Sequence, residues 1–230
     1  MAGSALAIDT SGSFCSVAVL KPDGAIVERS SSGEGDHFER LPGLVDDALC
    51  AAGLPASGLA SLRVGLGPGS FTGLRIGLSF AKGLASSLRV PLVGVGSFEG
   101  MAAAVLDGAP RIGRVVVLSD ARRDEVFIGA FERAGVRGVK ALVEPRIVPV
   151  ADLAGAPWDS LKGPDAAWFS PMRDLVLAGF PIQASPSLAK GLLLCSAVEP
   201  PFLLSDIAAL EPSYLRAVAA KTIEERRQGA

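Results

Sequence analysis

Two aspartates, Asp9 and Asp120, each follow an apolar run of the sequence and precede a short polar stretch. A carboxylate at the end of a buried strand can hold Mg²⁺ through water beside a nucleotide phosphate. At the first position, the hydroxyls of Thr10 and Ser11 would grip that phosphate. The alternative is an aspartate that closes a turn through its own backbone. Both interpretations stay open for Asp9, whereas two arginines after Asp120 favour the turn there.

A glycine-rich run, GPGSFTGLRIG at residues 67–77, is a second candidate for phosphate chemistry. A P-loop needs a lysine after its last glycine, and a dinucleotide loop needs the spacing GxGxxG. This run has no lysine, and Thr72 stands where the dinucleotide loop has its third glycine. The start of the following helix still offers free N–H groups to an anion, with Ser70 and Thr72 beside them. Ser70 as a helix N-cap is the favoured interpretation.

The helix predicted after this turn runs to about residue 88 and carries Gly73, Gly77, Ala81 and Ala85 at a spacing of four. This spacing puts the small residues on one helical face. Each helical glycine costs about 1 kcal/mol relative to alanine, so a close neighbour must compensate. Small-residue faces allow a second helix to approach closely. That neighbour is either the helix predicted after residue 36 of this chain or a helix of another chain.

The sequence contains few of the residues that other kinds of catalytic site require. His37 is the only histidine, so neither a Ser-His-Asp triad nor a Cys–His pair is expected. Cys15, Cys50 and Cys195 show no CxxC spacing, which argues against a cysteine zinc site and against a disulfide framework. A site of histidine and carboxylates would want a second imidazole or a tight acidic cluster. We therefore predict no metal site.

Composition narrows the class of protein. The 230 residues are 49% hydrophobic and carry a net charge of −2. These values suit a large buried core and disfavour binding to nucleic acid by bulk charge. We expect no leader peptide, because no basic and apolar segment precedes the first apolar strand, and no uncharged apolar run of about 18 residues is present. We expect a cytoplasmic protein without a membrane segment.

Strands and helices alternate along the chain, which predicts an α/β layer. After residue 108 the pattern of apolar strand, aspartate, polar turn and apolar strand recurs, and Asp120 lies 111 residues after Asp9. Such a repeat suggests two related halves. In the first half we predict strands at 6–8, 14–20, 25–30, 62–66 and 91–95, and helices starting at 36, 71 and 98, the first with a kink or break at Pro42.

The second half is weaker in its periodicity. The predicted elements are a second hairpin at 115–131, a strand at 141–148, a short element around Trp168, helices at 172–178 and 188–197, and a charged helix at 217–228. This half should therefore be the smaller and more irregular one.

Several motifs carry a resemblance to a known family. They are LAIDT at 6–10 with CSVA at 15–18, the glycine-rich run, DAR at 120–122 with DEV at 124–126, PLVGV at 91–95 and LEPSYLR at 210–216. Together they resemble the TsaB family, formerly called YeaZ. The resemblance spans nearly the whole chain and is looser between residues 132 and 201.

The resemblance implies the α/β actin-like ATPase fold of the Hsp70 and sugar kinase type. It implies two related subdomains, at residues 1–107 and 108–230, with the second reduced. It also implies a non-catalytic subunit that binds and activates TsaD, the metal-bearing transferase that makes threonylcarbamoyladenosine at position 37 of tRNA, together with the ATPase TsaE.

Further expectations follow from the same resemblance. Alone, the chain should form a homodimer, and it should meet tRNA only through the complex. It should need no cofactor in isolation, with ATP or ADP and Mg²⁺ held at the complex interface.

The small-residue face and the resemblance together predict where the partner binds. We expect a surface built by the helix that starts near residue 71 and by the one after residue 36. Its residues are Phe38, Leu41, Val45, Phe71, Gly73, Leu74, Gly77, Leu78 and Ala81. Replacing Gly77 with leucine should then separate the subunits and leave the fold intact.

Two other functions stay open. An independent ATPase or kinase-like enzyme of the same fold would use Asp9, Thr10 and Ser11 on phosphate. A tRNA-binding module would use the basic residues after position 215, although two glutamates interrupt them. The family's old label of glycoprotease finds no nucleophile–base pair in this sequence.

Overall fold

The structure is a computed structural model that describes residues 3–31, 37–135, 138–155, 157–172, 174–185, 188–195 and 206–215, and the side chains of residues 37 and 38 lie outside that description. Some predictions fall outside the described residues. These are the place of Phe38 in the partner surface, the basic residues after position 215, the helix at 217–228 and the end of the helix predicted at 188–197.

Two five-stranded sheets form the frame of the molecule. The first has the order β3-β2-β1-β4-β5, with β1 to β3 antiparallel and β4 and β5 parallel to β1. Its strands are β1 (Ser4–Asp9), β2 (Ser16–Leu20), β3 (Ile26–Ser30), β4 (Leu59–Gly65) and β5 (Leu92–Val95).

The second sheet repeats this arrangement. Counted from its third strand, the order is β8-β7-β6-β9-β10, again with an antiparallel hairpin and meander on one side and two parallel strands on the other. Its strands are β6 (Arg114–Arg122), β7 (Glu125–Arg133), β8 (Val139–Pro149), β9 (Ala166–Ser170) and β10 (Ile182–Ala184). The repeat predicted from one hairpin thus extends to a whole sheet.

Helices cover the sheets. The four α-helices of the described residues are α1 (His37–Ala52), α2 (Phe71–Leu88), α3 (Ser97–Gly108) and α4 (Ala189–Leu194), and short 3-10 helices lie at Ala56–Gly58, Val150–Leu153, Trp158–Leu161 and Ile207–Ala209. Every side chain of β1 is buried, so both faces of the first sheet need a cover. Leu6 and Ile8 pack under α1 and α2, while Ala5 and Ala7 face α4 on the other side.

The two halves exchange helices. From the first half, α3 packs Phe98 and Met101 on the second sheet. From the second half, α4 packs on the first sheet. The two helices meet at Gly100 and Gly191, where a Cβ atom on Gly191 would overlap the Gly100 carbonyl oxygen. The halves are therefore interlocked, and the boundary near residue 108 stays a prediction.

Polar groups of the first sheet fix both ends of α4. The first N–H groups of this short helix donate to Ser16 Oγ at 3.2 Å and to Glu28 Oε1 at 3.0 Å. At its other end, Arg63 donates to two carbonyls at 2.7 and 2.6 Å. A carboxylate at the start of a helix and a guanidinium at its end both match the helix dipole. A helix of six residues, which is marginal alone, is stabilised in this way.

The outer face of the second sheet has no long helix among the described residues. Trp158 and Trp168 fill this face together with leucines from the 3-10 turns. The Trp168 indole donates to the Leu161 carbonyl at 2.9 Å, so the buried ring has its polar partner. Within the described residues, the second half is reduced because short 3-10 turns cover its outer face where the first half has long helices.

One prediction about the elements is wrong, and another is decided only in part. The described residues of 172–178 form turns and extended chain and no helix, because Leu175 and Leu177 both pack inward with the alternation of extended chain. At Pro42, where a kink or a break was predicted, α1 continues without a break, and the kink stays a prediction. The proline lies near the start of the helix and is exposed, so its ring projects into solvent.

Replacing Arg63 with methionine keeps the apolar stem and removes the guanidinium. We expect the free energy of unfolding to fall by about 1–3 kcal/mol, because the carbonyls at the end of α4 lose their donor. Urea denaturation followed by circular dichroism measures this change. The same substitution at the exposed Arg111 is the control and should change stability by less than about 0.5 kcal/mol. Equal effects at both positions would contradict the role of Arg63.

Candidate functional site

The carboxyl ends of β1 and β4 meet at the candidate phosphate residues. Asp9, Thr10 and Ser11 are 0%, 2% and 1% exposed. The Ser11 N–H and hydroxyl both donate to Asp9 Oδ1, at 2.8 and 2.6 Å. Asp9 therefore closes a turn through the residue two positions on, which is the structural alternative that the sequence left open.

Beneath this turn, the Asp9 carboxylate packs against backbone. A Cβ atom on Gly65 would overlap Asp9 Oδ2 and would lie 2.7 Å from Ser97 Oγ. Ser97 in turn accepts from the Gly67 N–H at 3.0 Å and donates its own N–H to the Gly67 carbonyl at 2.8 Å. A hydrated Mg²⁺ and a phosphate do not fit this enclosed carboxylate in the structure described.

The glycine face of α2 packs on the same turn. Thr10 donates its hydroxyl to the Gly73 carbonyl at 2.7 Å. A Cβ atom on Gly73 would overlap the Thr10 carbonyl oxygen, and one on Gly77 would overlap the Thr10 hydroxyl. The close neighbour of the two glycines is thus a loop of this chain. Ala81 and Ala85, on the same face, lie in the buried cluster that α1 also joins, as predicted for the helix after residue 36. Thr10 occupies the space that side chains at Gly73 and Gly77 would take.

The start of α2 is capped within the chain. Ser70 Oγ accepts from the Gly73 N–H at 3.2 Å, which confirms Ser70 as the N-cap. The Ser70 N–H donates to the Ser11 carbonyl at 2.7 Å. Thr72 is exposed in the first turn. A role for Ser70 and Thr72 in holding an anion stays a prediction.

The cleft between the two sheets is closed at this edge. The Ser13 N–H donates to the Pro171 carbonyl at 3.0 Å, and the Ser13 hydroxyl lies 3.8 Å from Met172 Sδ. A Cβ atom on Gly12 would overlap the Pro171 carbonyl oxygen. The turn after β1 therefore contacts the turn after β9 directly.

The second hairpin repeats the turn chemistry of the first. Asp120 Oδ1 accepts from the Arg122 N–H at 2.6 Å, two residues on, as Asp9 does from Ser11. Arg122, Arg123 and Asp124 all have positive φ, between 56° and 66°. The turn interpretation of Asp120 is confirmed, since its carboxylate is used by its own hairpin.

Most residues predicted for the partner surface lie inside the chain. The buried ones are Leu41, Val45, Gly73, Leu74, Gly77, Leu78 and Ala81. Among the described predicted residues, Phe71 alone is exposed, at 41%. The expectation that Gly77→Leu leaves the fold intact needs correction, because the added side chain would displace Thr10.

An exposed cluster beside Phe71 was not predicted as a site. The Arg75 guanidinium lies 4.1 Å from the centre of the Phe71 ring and donates through Nε to the Tyr214 hydroxyl at 3.0 Å. The Tyr214 ring lies 5.3 Å from that of Phe71. We call Phe71, Thr72, Arg75, Ser79 and Tyr214 the α2 face. The motif containing Tyr214 was visible in the sequence, but nothing local linked it to α2.

Two of the three thiols are poor nucleophiles. Burial, reinforced by the charge of Asp9, raises the pKa of Cys15 to about 12. Burial likewise raises the pKa of Cys195 to about 12. Both thiols therefore stay protonated at neutral pH, and since thiolate is the reactive form, neither supports peptidase chemistry.

The chain is similar in sequence to known proteins. A family model described as "TsaD: tRNA N6-adenosine threonylcarbamoyltransferase" matches residues 26–220. The tRNA threonylcarbamoyladenosine biosynthesis protein TsaB of Escherichia coli K12 is 35% identical over 150 residues, covering 62% of this chain and 63% of that protein. The TsaB of Bacillus subtilis 168 is 31% identical over 239 residues, covering 96% of this chain and 99% of that protein.

The chain belongs to the TsaB family. It also belongs to the wider family that the TsaD model describes, so this chain and TsaD proteins share a related domain. The TsaB family takes part in the biosynthesis of threonylcarbamoyladenosine in tRNA. The chain spans less than two thirds of the E. coli relative and nearly all of the B. subtilis one.

The fold agrees with that of a TsaB relative. YeaZ from Pseudomonas aeruginosa superposes with a TM-score of 0.74 at 28% identity, covering 93% of this chain and all of that one. The chain therefore has the α/β actin-like fold that the resemblance implied, with two related sheets. Within the described ranges, no helix is long and apolar enough to cross a membrane, and no three metal-ligating side chains gather.

Two glycines of α2 offer a matched test of the packing on Thr10. Gly73→Ala should lower the free energy of unfolding by about 1–3 kcal/mol, because the methyl group overlaps the Thr10 carbonyl. Gly83→Ala should raise it by about 1 kcal/mol, since nothing lies near Gly83 and alanine favours the helix. Thermal and urea denaturation measure both. Two changes of the same sign would contradict the packing described.

Proposed function

We propose that this TsaB-family chain is a non-catalytic subunit that binds and activates TsaD, together with TsaE, in forming threonylcarbamoyladenosine at position 37 of tRNA. One observation carries the proposal. The turn at Asp9, Thr10 and Ser11, where an enzyme of this fold would hold phosphate, is filled by the glycine face of α2. A chain that encloses its own phosphate turn is suited to binding and not to phosphoryl chemistry.

The α2 face has the side chains expected of a surface that binds a partner protein. Aromatic and arginine side chains dominate the binding energy of many protein interfaces, especially where they cluster. Phe71, Arg75 and Tyr214 form such a cluster on the surface. Because the Phe71 ring and the Tyr214 hydroxyl both hold Arg75, its side chain loses little freedom when a partner binds. The buried residues behind it keep α2 in place and need not touch the partner.

The same model of the complex includes nucleotide binding at the subunit interface and self-association of the isolated chain. ATP or ADP and Mg²⁺ would sit at the interface of the complex, held chiefly by the partner subunits. Without TsaD, the α2 face would pair with the same face of a second copy, as a two-fold interface requires. The alternative of an independent ATPase has no observation in its favour among the described residues.

Truncation of Phe71 tests the docking surface. Phe71→Ala should weaken binding to TsaD at least tenfold and reduce threonylcarbamoyladenosine formation in the reconstituted pathway, because a central aromatic anchor is lost. Affinity is measured by biolayer interferometry and the product by chromatography of digested tRNA.

Leu142→Ala is the matched control for that substitution. Leu142 is 42% exposed, close to the value for Phe71, and lies on β8 of the second sheet. It should leave affinity and product unchanged. An unchanged affinity for Phe71→Ala, or an equal loss in both variants, would rule out the α2 face as the TsaD site.

Calorimetry tests the non-catalytic part of the proposal. Titration of ATP with Mg²⁺ into the isolated chain should give no saturable heat up to a concentration of about 1 mM, which corresponds to a binding free energy weaker than about −4 kcal/mol. The reason is the enclosed turn at Asp9. A clear binding isotherm, lost on mutation of Asp9 to asparagine, would favour the nucleotide-binding alternative.

A further inference from the structure

A cavity of about 500 Å³ lies at the carboxyl ends of β4 and β5. Its walls come from the turn after β4, the first turn of α3, the edge strand β8 and residues 209–215. Crevices at the carboxyl ends of parallel strands are the usual ligand sites of α/β sheets. The volume is within the range of small-molecule sites. The proposed docking at the α2 face does not use this cavity.

The charged residues that line the cavity share one sign. Glu99, Glu144 and Glu211 lie on its walls, and the described lining holds no lysine or arginine. Burial raises the pKa of Glu99, and the charge of Glu144 raises it further. Glu99 is half-buried in the wall of the cavity and Glu144 is exposed at its edge, so two like charges line the same space. An approaching cation would relieve this repulsion, whereas a nucleotide phosphate would add to it.

Apolar residues and glycines make up most of the remaining lining, and hydrogen bonds hold its walls in place. Leu66 and Pro145 are half-buried in the lining, and Val95, Phe98 and Leu210 are buried in its walls. The wall at 209–215 is held by the Ser213 N–H, which donates to the Leu66 carbonyl at 2.8 Å. Glu99 itself is oriented by the Gly96 N–H, which donates to Oε2 at 3.2 Å. The cavity is thus formed before any ligand arrives.

We propose that this cavity binds an organic cation carried on an apolar stem, with Glu99 and Glu144 flanking the charge. A guanidinium or ammonium group supplies several donors to two carboxylates, and its methylene stem would lie along the half-buried Leu66 and Pro145. A bare metal ion is disfavoured, since no three ligating side chains gather within the described part of the chain. The chemistry is that of an arginine or lysine side chain or of a free polyamine.

Nuclear magnetic resonance titration of the full chain tests the proposal. Agmatine stands for the free amine, and N-acetyl-arginine amide stands for a side chain in a peptide. Each should shift the amide signals of Gly67, Gly94 and Gly96 in a saturable way. Tighter binding of one probe assigns the source of the cation, and either result supports the site.

Repeating the titration on variants that lack a cavity carboxylate is the decisive comparison. Glu99→Gln keeps an acceptor for the Gly96 N–H and should weaken binding at least tenfold. Glu144→Gln, at an exposed position, should weaken it as well and covers the case that the first variant fails to fold. Glu39→Gln, exposed on α1, is the control and should change nothing.

Three outcomes would overturn the proposal. They are no saturable shift with either probe, equal affinities in wild type and both cavity variants, and stronger binding of ADP than of either cation at the same amide signals. The first would leave the cavity without a cationic ligand. The second would place the binding elsewhere, and the third would reverse the sign of the charge that the cavity accepts.

Discussion

The approach of Thr10 to the first turns of α2 is the contact on which the rest of the structure depends. It requires glycine at positions 73 and 77, because any side chain there would overlap Thr10. Each of those glycines weakens the helix by about 1 kcal/mol, and the buried hydroxyl-to-carbonyl bond with its close packing offsets that cost. The same contact encloses Asp9, fixes the angle of α2 on the first sheet and leaves the other side of α2 free to carry Phe71 and Arg75.

The exchange of helices between the halves explains how the reduced second sheet stays in place. Among the described residues, short 3-10 turns and not long helices pack on its outer face. The inner face receives α3 from the first half, and α4 returns to the first sheet, where Arg63 and Glu28 fix its ends. The cleft is also closed by Ser13 and Pro171. Movement of one sheet against the other would break all these contacts together, which suits a rigid binding subunit.

Local patterns in the sequence predicted the elements well and the contacts poorly. Apolar runs between turn residues placed both hairpins, and the spacing of four placed Gly73, Gly77, Ala81 and Ala85 on one buried side of α2. The neighbour of the glycine face could not be predicted, because Thr10 and Gly73 are 63 residues apart and no pattern links them. Tyr214 was missed for the same reason. The false helix at 172–178 arose because a short apolar run does not distinguish a helix from extended chain packed on a sheet.

Hydrogen exchange at the turn after β1 tests the central claim most directly. Amides between residues 9 and 13 and between 70 and 77 would be followed by mass spectrometry in the isolated chain, with and without ATP and Mg²⁺. If α2 encloses the turn, these amides exchange slowly without nucleotide and at the same rate with it. Rapid exchange in the free chain, with protection gained on adding nucleotide, would mean an open phosphate turn and would contradict the account.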